Sequence, residues 1–287
     1  MNMQTGVASP GTLPEMDASD FDAIAAFALR EFGLSLPSSK TQLVKSRLAR
    51  RLRALDLPSF AAYRSLLEGA NGGAERIELL SSLTTNVTKF FREIHHFDDL
   101  QNDVMPKLVE RARTGERIRI WSAGCSSGQE PFSIAMTALK CEPNIARYNF
   151  KILATDIDPT IVAKAREAIY RKDEIDAVDQ KYYRAADIVA PVPAKEGHFS
   201  VSDDVRNLVT FGVINLIEEL PFSGAFDVIF CRNVAIYFNR ETQQAVWKRF
   251  SNLLPSGGKL FIGHSERISR ADQPQLEPCG VTVYQKS

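Results

Sequence analysis

"RIRIWSAGCSSGQEPFSIAMTAL", Arg117 to Leu139, decides how the chain folds. Its first seven residues, to Ala123, are an apolar run broken by a single inner arginine, the pattern of a strand buried on both faces. A loop of small residues, Gly124 to Gly128, follows. From Gln129 the apolar residues recur at helical spacing. Strand, glycine loop and helix make the opening of an α/β unit. Taken literally, Gly124-Cys125-Ser126-Ser127-Gly128 also spells G-x-S-x-G, the nucleophile elbow of a serine hydrolase.

Downstream, the alternation continues. "FKILATDID" (150–158) is a strand, and "PTIVAKAREAIY" (159–170) is a helix with Pro159 in its first turn. "NLVTFGVINL" (207–216) and "FDVIFCRN" (226–233) are strands, and "RETQQAVWKRFSNLL" (240–254) is a helix. "GKLFIGHSE" (258–266) and "VTVYQKS" (281–287) are strands. Strands that alternate with helices imply a mostly parallel sheet covered on both faces, with the last strand a candidate antiparallel edge. The rhythm breaks between Tyr182 and Arg206, where two prolines and a glycine separate short β-like runs. An inserted β subdomain over about 181–207 is the expectation.

Upstream, the pattern is helical. Ser19 with Asp22 resembles a capping box ahead of Phe21, Ile24, Phe27, Ala28 and Phe32 at helical spacing. "KTQLVKSRLARRLRALDL" (40–57) places Leu43, Val44, Leu48, Leu52 and Leu55 on one face, and Lys40, Lys45, Arg47, Arg50, Arg51 and Arg53 elsewhere. Two further short helices lie in "SFAAYRSLLEG" and "AERIELLSSL". A small all-α domain over 19–84 follows, after an unstructured tail at 1–18 rich in Gly, Pro, Ser, Met and Thr. A linker at 85–94 leads to the α/β domain at 95–287.

The 287 residues carry 44% apolar and 24% charged side chains with a formal net charge of zero. That balance suits a globular chain and argues against a nucleic-acid or membrane-surface binder. The four cysteines, Cys125, Cys141, Cys231 and Cys279, show no C-x-x-C or zinc-ligand spacing, so reduced thiols and no metal are expected. No secretory h-region and no 18-residue apolar run occur, so a cytoplasmic protein is expected.

Ligands of open parallel sheets bind at the carboxyl ends of the strands. There the sequence delivers the glycine loop with Glu130, then Asp156 and Asp158, then Asn215 and Leu216. Cys231, Arg232, Asn233 and Tyr237 come next, and His264, Ser265 and Glu266 last. The order Ser126, Asp156, His264 matches an α/β-hydrolase, but Asp156 sits one strand too early and no oxyanion loop precedes Ser126. A dinucleotide site wants a third glycine and a helix start free for pyrophosphate; here Glu130 would repel it. A ribose acceptor at Asp156 beside an acid at Glu130 suits a cationic nucleoside such as S-adenosylmethionine. Methyltransferase, dinucleotide enzyme and cofactor-binding adaptor all remain open on layout alone.

"LLSSLTTNVTKFFREIHHF", "WSAGCSSGQEP", "ATDIDPTIVAKAREAIY", "INL", "FDVIFCRNVAIYF" and "LFIGHSE", in this order over roughly 20–287, resemble the CheR family of chemoreceptor glutamate methyltransferases. The resemblance implies a helical domain followed by a Rossmann-like class I methyltransferase domain with an inserted antiparallel β subdomain. It implies methyl transfer from S-adenosyl-L-methionine, giving S-adenosyl-L-homocysteine, to glutamates on the cytoplasmic helices of chemoreceptors, for adaptation in chemotaxis. By motif position, Asn86, Thr88 and Arg92 line the cofactor and transfer site. Glu130 holds the methionine part, Asp156 the ribose, and Gly124, Asn215, Leu216, Arg232 and Asn233 complete the cofactor pocket. Arg92 and Tyr237 are the expected catalytic residues. Gln129 departs from the Glu many relatives carry. The β insertion, "IVAPVPAKEGHF", leaves open whether a receptor C-terminal peptide docks there. The basic helix 40–53 is the candidate receptor-docking face.

Overall fold

The computed structural model describes residues 15–193, 195–222 and 224–287. Two compact units divide at Thr85/Asn86. The tail expected at 1–18 falls outside the described residues up to position 14.

The first unit is helical: α1 (Ala18–Phe32), α2 (Thr41–Ala54), α3 (Phe60–Glu68) and α4 (Gly73–Leu83). The cap of α1 is Asp17, whose carboxylate accepts from the Asp20 amide, rather than the Ser19–Asp22 pair. Phe21, Ile24, Phe27 and Ala28 are buried as their spacing predicts. On α2, Val44, Leu48, Ala49 and Leu52 are buried, whereas Leu43 is exposed. Leu43 lies about 100° around the helix from Val44, and it falls outside the apolar stripe that Val44, Leu48, Ala49 and Leu52 form. The basic face is partly engaged within the unit. Arg47 donates to the carbonyls of Ser82, Leu83 and Thr84 at the end of α4, and Arg51 grips Glu75 and Glu78. Arg50 and Arg53 stay exposed.

The second unit is built on a seven-stranded sheet. Its strands are β1 (Ile118–Ala123), β2 (Phe150–Asp156), β6 (Val209–Val213), β7 (Val228–Cys231), β8 (Lys259–Ile262), β9 (Leu276–Gly280) and β10 (Val283–Lys286). They lie in the order β6-β2-β1-β7-β8-β10-β9. The first five are parallel; β10 runs antiparallel to both β8 and β9. The order reverses between β1 and β7, which is the switch point of a doubly wound sheet. β1 alternates between two cores. Ile118 and Ile120 face one, with α6 (Met105–Arg113) and α7 (Gln129–Cys141). Trp121 and Ala123 face the other, with α11 (Arg240–Leu253).

A second, three-stranded antiparallel sheet holds β3 (Ile169–Arg171), β5 (His198–Val201) and β4 (Ile188–Val189), in that order. It begins at Ile169, before the expected 181–207. Helix α8 (Pro159–Glu167) ends where Ala168 adopts φ 54°, so Ile169 and Tyr170 leave the helix and pair as a strand. Short α9 (Lys172–Asp176) lies within the insertion, and α10 (Asp203–Arg206) follows it. α5 (His95–Asp99) runs through a π-helical turn, Leu100–Val104, into α6.

Candidate active site

The glycine loop is shaped by backbone demands. Gly124 and Gly128 have φ 88° and 96°, and the amides of Gly124 and Cys125 both donate to the Thr155 carbonyl, at 2.7 and 2.8 Å. A Cβ at Gly124 would lie 2.2 Å from Val234 Cγ2, and one at Gly128 2.7 Å from the Tyr170 hydroxyl. The protein's own packing, as well as positive φ, therefore requires both glycines.

Ser126, at φ 49°, donates its amide to Asp156 Oδ2 at 2.8 Å and its hydroxyl to the Asn86 carbonyl at 3.2 Å. Asp156 Oδ1 accepts from the Asp158 amide. Burial pushes the Asp156 carboxyl up against these hydrogen bonds. His264 is bound by its Nδ1 to Glu93 Oε1, 2.9 Å away. Ser126 gives its proton to the Asn86 carbonyl and not to a histidine, so no Ser–His pair forms and the nucleophile elbow is only a spelling.

Glu130 opens α7 and turns inward, accepting from Ser122 Oγ at 2.7 Å and Arg232 Nη1 at 3.1 Å. Burial raises its pKa, opposed by the Arg232 charge and the Ser122 hydroxyl. The Arg232 side chain is 2% exposed and its Nη2 lies 3.3 Å from Glu93 Oε2. Nη2 also donates to the Arg92 carbonyl. Burial would lift the Glu93 carboxyl, but the Arg232 charge and hydrogen bonds from His264 hold it at about 2. Burial, aided by the Arg232 charge, holds His96 down at about 3.

Arg92 is thus fixed through its backbone, between Phe91 at φ 50° and Glu93 at φ 54°. Asn233 has φ 59° as well. Non-glycine residues in this region cost about 1–3 kcal/mol each and cluster at sites that over-determine them. Asn233 is held by Glu266, a buried carboxylate that accepts from the amides of Gly263, Asn233 and Ile236 at 2.5, 3.1 and 3.3 Å. After β6, Asn215 bonds Glu218 at 2.9 Å, and the buried Leu216 accepts from Arg249 through its carbonyl. Tyr237 ends a 3-10 turn after β7. Asn86 and Thr88 lie half-buried in the segment that leads to Arg92.

Two networks are therefore explicit. One joins Glu130, Arg232, Glu93, His264 and the Arg92 backbone. The other joins the glycine loop, Asp156 and Asn86. Sequence reasoning did not single out Glu93, and it placed Glu266 at a strand end without its role in holding Asn233. Glu93 follows Arg92 directly, and an acid beside two histidines in an otherwise apolar run was the available signal.

A doubly wound sheet with a glycine loop at its switch point, an acid ending β2 and a buried acid opening the first helix defines a nucleoside-binding transferase domain rather than a hydrolase. Residues 86–284 match the family model described as CheR methyltransferase, SAM binding domain, and residues 19–84 match the CheR methyltransferase, all-alpha domain. The chain is 48% identical over 252 residues to a probable chemotaxis protein methyltransferase of Rhizobium etli, covering 88% of this chain and 94% of that one. It is 42% identical over 241 residues to the chemotaxis protein methyltransferase of Borreliella burgdorferi (83% and 84% covered). With that of Salmonella typhimurium it shares 40% over 267 residues (92% and 88% covered). The chain belongs to the CheR methyltransferase family, and its cofactor is S-adenosylmethionine. The site suits that molecule. Glu130 is an inward-turned acid whose pKa burial raises, and a cationic ligand beside it favours its ionised form where a phosphate does not.

Proposed function

We propose that this protein is a protein-glutamate O-methyltransferase that acts on the cytoplasmic helices of chemoreceptors and so serves adaptation in chemotaxis. The observation that carries this is the state of the site's titratable groups. His264 is bound to Glu93, His96 is buried with its pKa held at about 3, and the Ser126 hydroxyl donates to a carbonyl. His96 and Ser126 are therefore not poised to deprotonate a nucleophile, and His264 is held by Glu93 on an exposed side chain. A glutamate carboxylate, with a reference pKa of about 4.3, arrives ionised and needs no base.

S-adenosylmethionine supplies a methyl group already activated by its sulfonium. Glu130 and Gly124 would hold its methionine part and Asp156 its ribose, with Asn86, Thr88, Asn215, Leu216 and Asn233 around them. Arg232 acts on the cofactor through Glu130. Arg92 would grip the incoming carboxylate, which a guanidinium can do with two parallel hydrogen bonds. Its backbone anchorage lets the side chain align the nucleophile at low entropic cost, and alignment is worth roughly 7–11 kcal/mol of barrier. Tyr237 would place a hydroxyl and a ring face beside the transferred methyl.

Receptor docking is assigned to α2. Arg47, Arg50, Arg51, Ser81, Ser82 and Thr84 line an open cleft of about 480 Å³ in the helical unit; with Arg47 and Arg51 engaged by α4, the exposed Arg50 and Arg53 are the charges suited to glutamate-bearing helices. Incubation with labelled cofactor and a receptor cytoplasmic fragment is expected to give base-labile methyl esters. Base-stable label would refute the assignment.

A further inference from the structure

Beside Arg232, three neighbouring residues each keep one potential ligand atom without a hydrogen-bond partner. Glu93 Oε2, His95 Nε2 and His96 Nδ1 are all buried and unsatisfied. One ligand atom from each of these residues lies within 4.8 Å of one from each of the others. Glu93 Oε2 and His96 Nδ1 are 3.6 Å apart.

The hydrogen bonding of His96 fixes what its Nδ1 is. Its Nε2 faces the Val281 carbonyl at 3.1 Å and the Thr282 hydroxyl at 2.9 Å. That hydroxyl places its own proton on the Val281 carbonyl, at 2.7 Å. Nε2 therefore meets two acceptors and must carry the ring proton. Nδ1 is left as a bare lone pair, on a side chain that is 0% exposed, turned toward a carboxylate oxygen. Two acceptors in that position repel unless a cation lies between them.

We propose that Glu93, His95 and His96 form a binding site for a divalent transition-metal ion of the zinc class. Ligand bonds of about 2.0–2.2 Å give a tetrahedral edge of about 3.3–3.6 Å, which the Glu93–His96 separation already meets. His95 has to draw closer only where its separations from Glu93 and His96, within 4.8 Å, exceed that edge. A metal-bound histidine characteristically donates its other ring N–H to a carbonyl or carboxylate, as His96 does to Val281. Two imidazoles and one carboxylate suit zinc and its neighbours and disfavour calcium or magnesium. Arg232 is the competing cation for Glu93 Oε2. With Glu93 and Glu130 ionised around it, the immediate surroundings carry one net negative charge, and Arg232 keeps its contacts to Glu130 and the Arg92 carbonyl.

The test uses the full chain, stripped of metal by a chelator and titrated with Co²⁺. A single equivalent is expected to produce visible d–d bands that Zn²⁺ then abolishes. His95→Gln and Glu93→Gln should each weaken binding by more than about 10-fold. Cys279→Ser and His198→Gln should retain it, since those exposed or peripheral side chains are the alternative ligands. Failure to bind Co²⁺, or unchanged affinity in both ligand variants, overturns the site. Should either variant misfold by circular dichroism, X-ray absorption of the wild-type zinc form decides. A shell of two nitrogens and one carboxylate oxygen from the protein is expected; a sulfur-containing or all-oxygen shell overturns the site.

Discussion

Arg51 of the helical unit and Arg232 of the α/β unit each bridge two glutamates, and the two are built differently. In the helical unit, Arg51 meets Glu75 through two parallel hydrogen bonds of 3.0 and 2.6 Å, adds Glu78 at 3.1 Å, and Glu75 also accepts from the Tyr63 hydroxyl at 2.8 Å. In the α/β unit, Arg232 is more deeply buried, reaches Glu130 and Glu93 at single points of 3.1 and 3.3 Å, and leaves its own Nε and one Glu93 oxygen without hydrogen bonds. Saturated geometry marks a structural clasp, and residual valence marks a group reserved for a ligand.

Arg232→Met should give the largest effect. It leaves two facing buried carboxylates, destabilising the α/β unit by about 3–5 kcal/mol and weakening cofactor binding more than 100-fold, both readable by calorimetry. Glu75→Gln breaks the other clasp. It should cost the helical unit about 1.5–3 kcal/mol and leave cofactor affinity unchanged; a shifted Kd would break the comparison. A titration sharpens it further. Because burial raises the Glu130 carboxyl, it takes up its proton above the ordinary carboxylate range. Cofactor affinity should fall as pH drops through that raised value. The stability contribution runs the opposite way: the folded carboxyl binds its proton before the unfolded one does, so acidification from neutral pH relieves a burial penalty. Glu130→Gln should flatten both profiles.

Smaller effects test what surrounds the networks. At Gly263 a Cβ would lie 2.6 Å from Asn233 Nδ2 and 2.7 Å from its amide. Gly263→Ala should therefore shift the Asn233 turn, cost about 1–3 kcal/mol, and raise the cofactor Kd about 10-fold. Arg50→Glu with Arg53→Glu, on exposed positions of α2, should raise the receptor KM a few-fold, more at low salt, with kcat kept.

Much of this was legible in the sequence. The two-sided burial of β1, the alternation that follows it and the acid ending β2 are direct readings of period and residue type. What escaped has physical causes. The small sheet starts at Ile169 because Ala168 turns left-handed, and an alanine gives no warning of that. Strand β9, "LEPCG", holds a proline and a glycine, and only an edge position makes it a strand. Glu93 acts by reaching chain segments far away, and Glu266, though placed at its strand end, holds the distant Asn233 turn in a way that spacing does not encode. The basic run on α2 was plain, but Arg47 and Arg51 are spent on α4 and its acids.

His96 has a consequence in time. Its Nε2 partners, Val281 and Thr282, lie 185 and 186 residues further along the chain. A ribosome adding roughly 5–20 residues per second needs about 10–40 s to bridge that gap. Throughout that interval the segment bearing Arg92 and Glu93 has been made but lacks its terminal fastening. The segment that precedes His96 is not secured before Val281 and Thr282 emerge, and chains stopped short of Val281 should be protease-sensitive at residues 86–96.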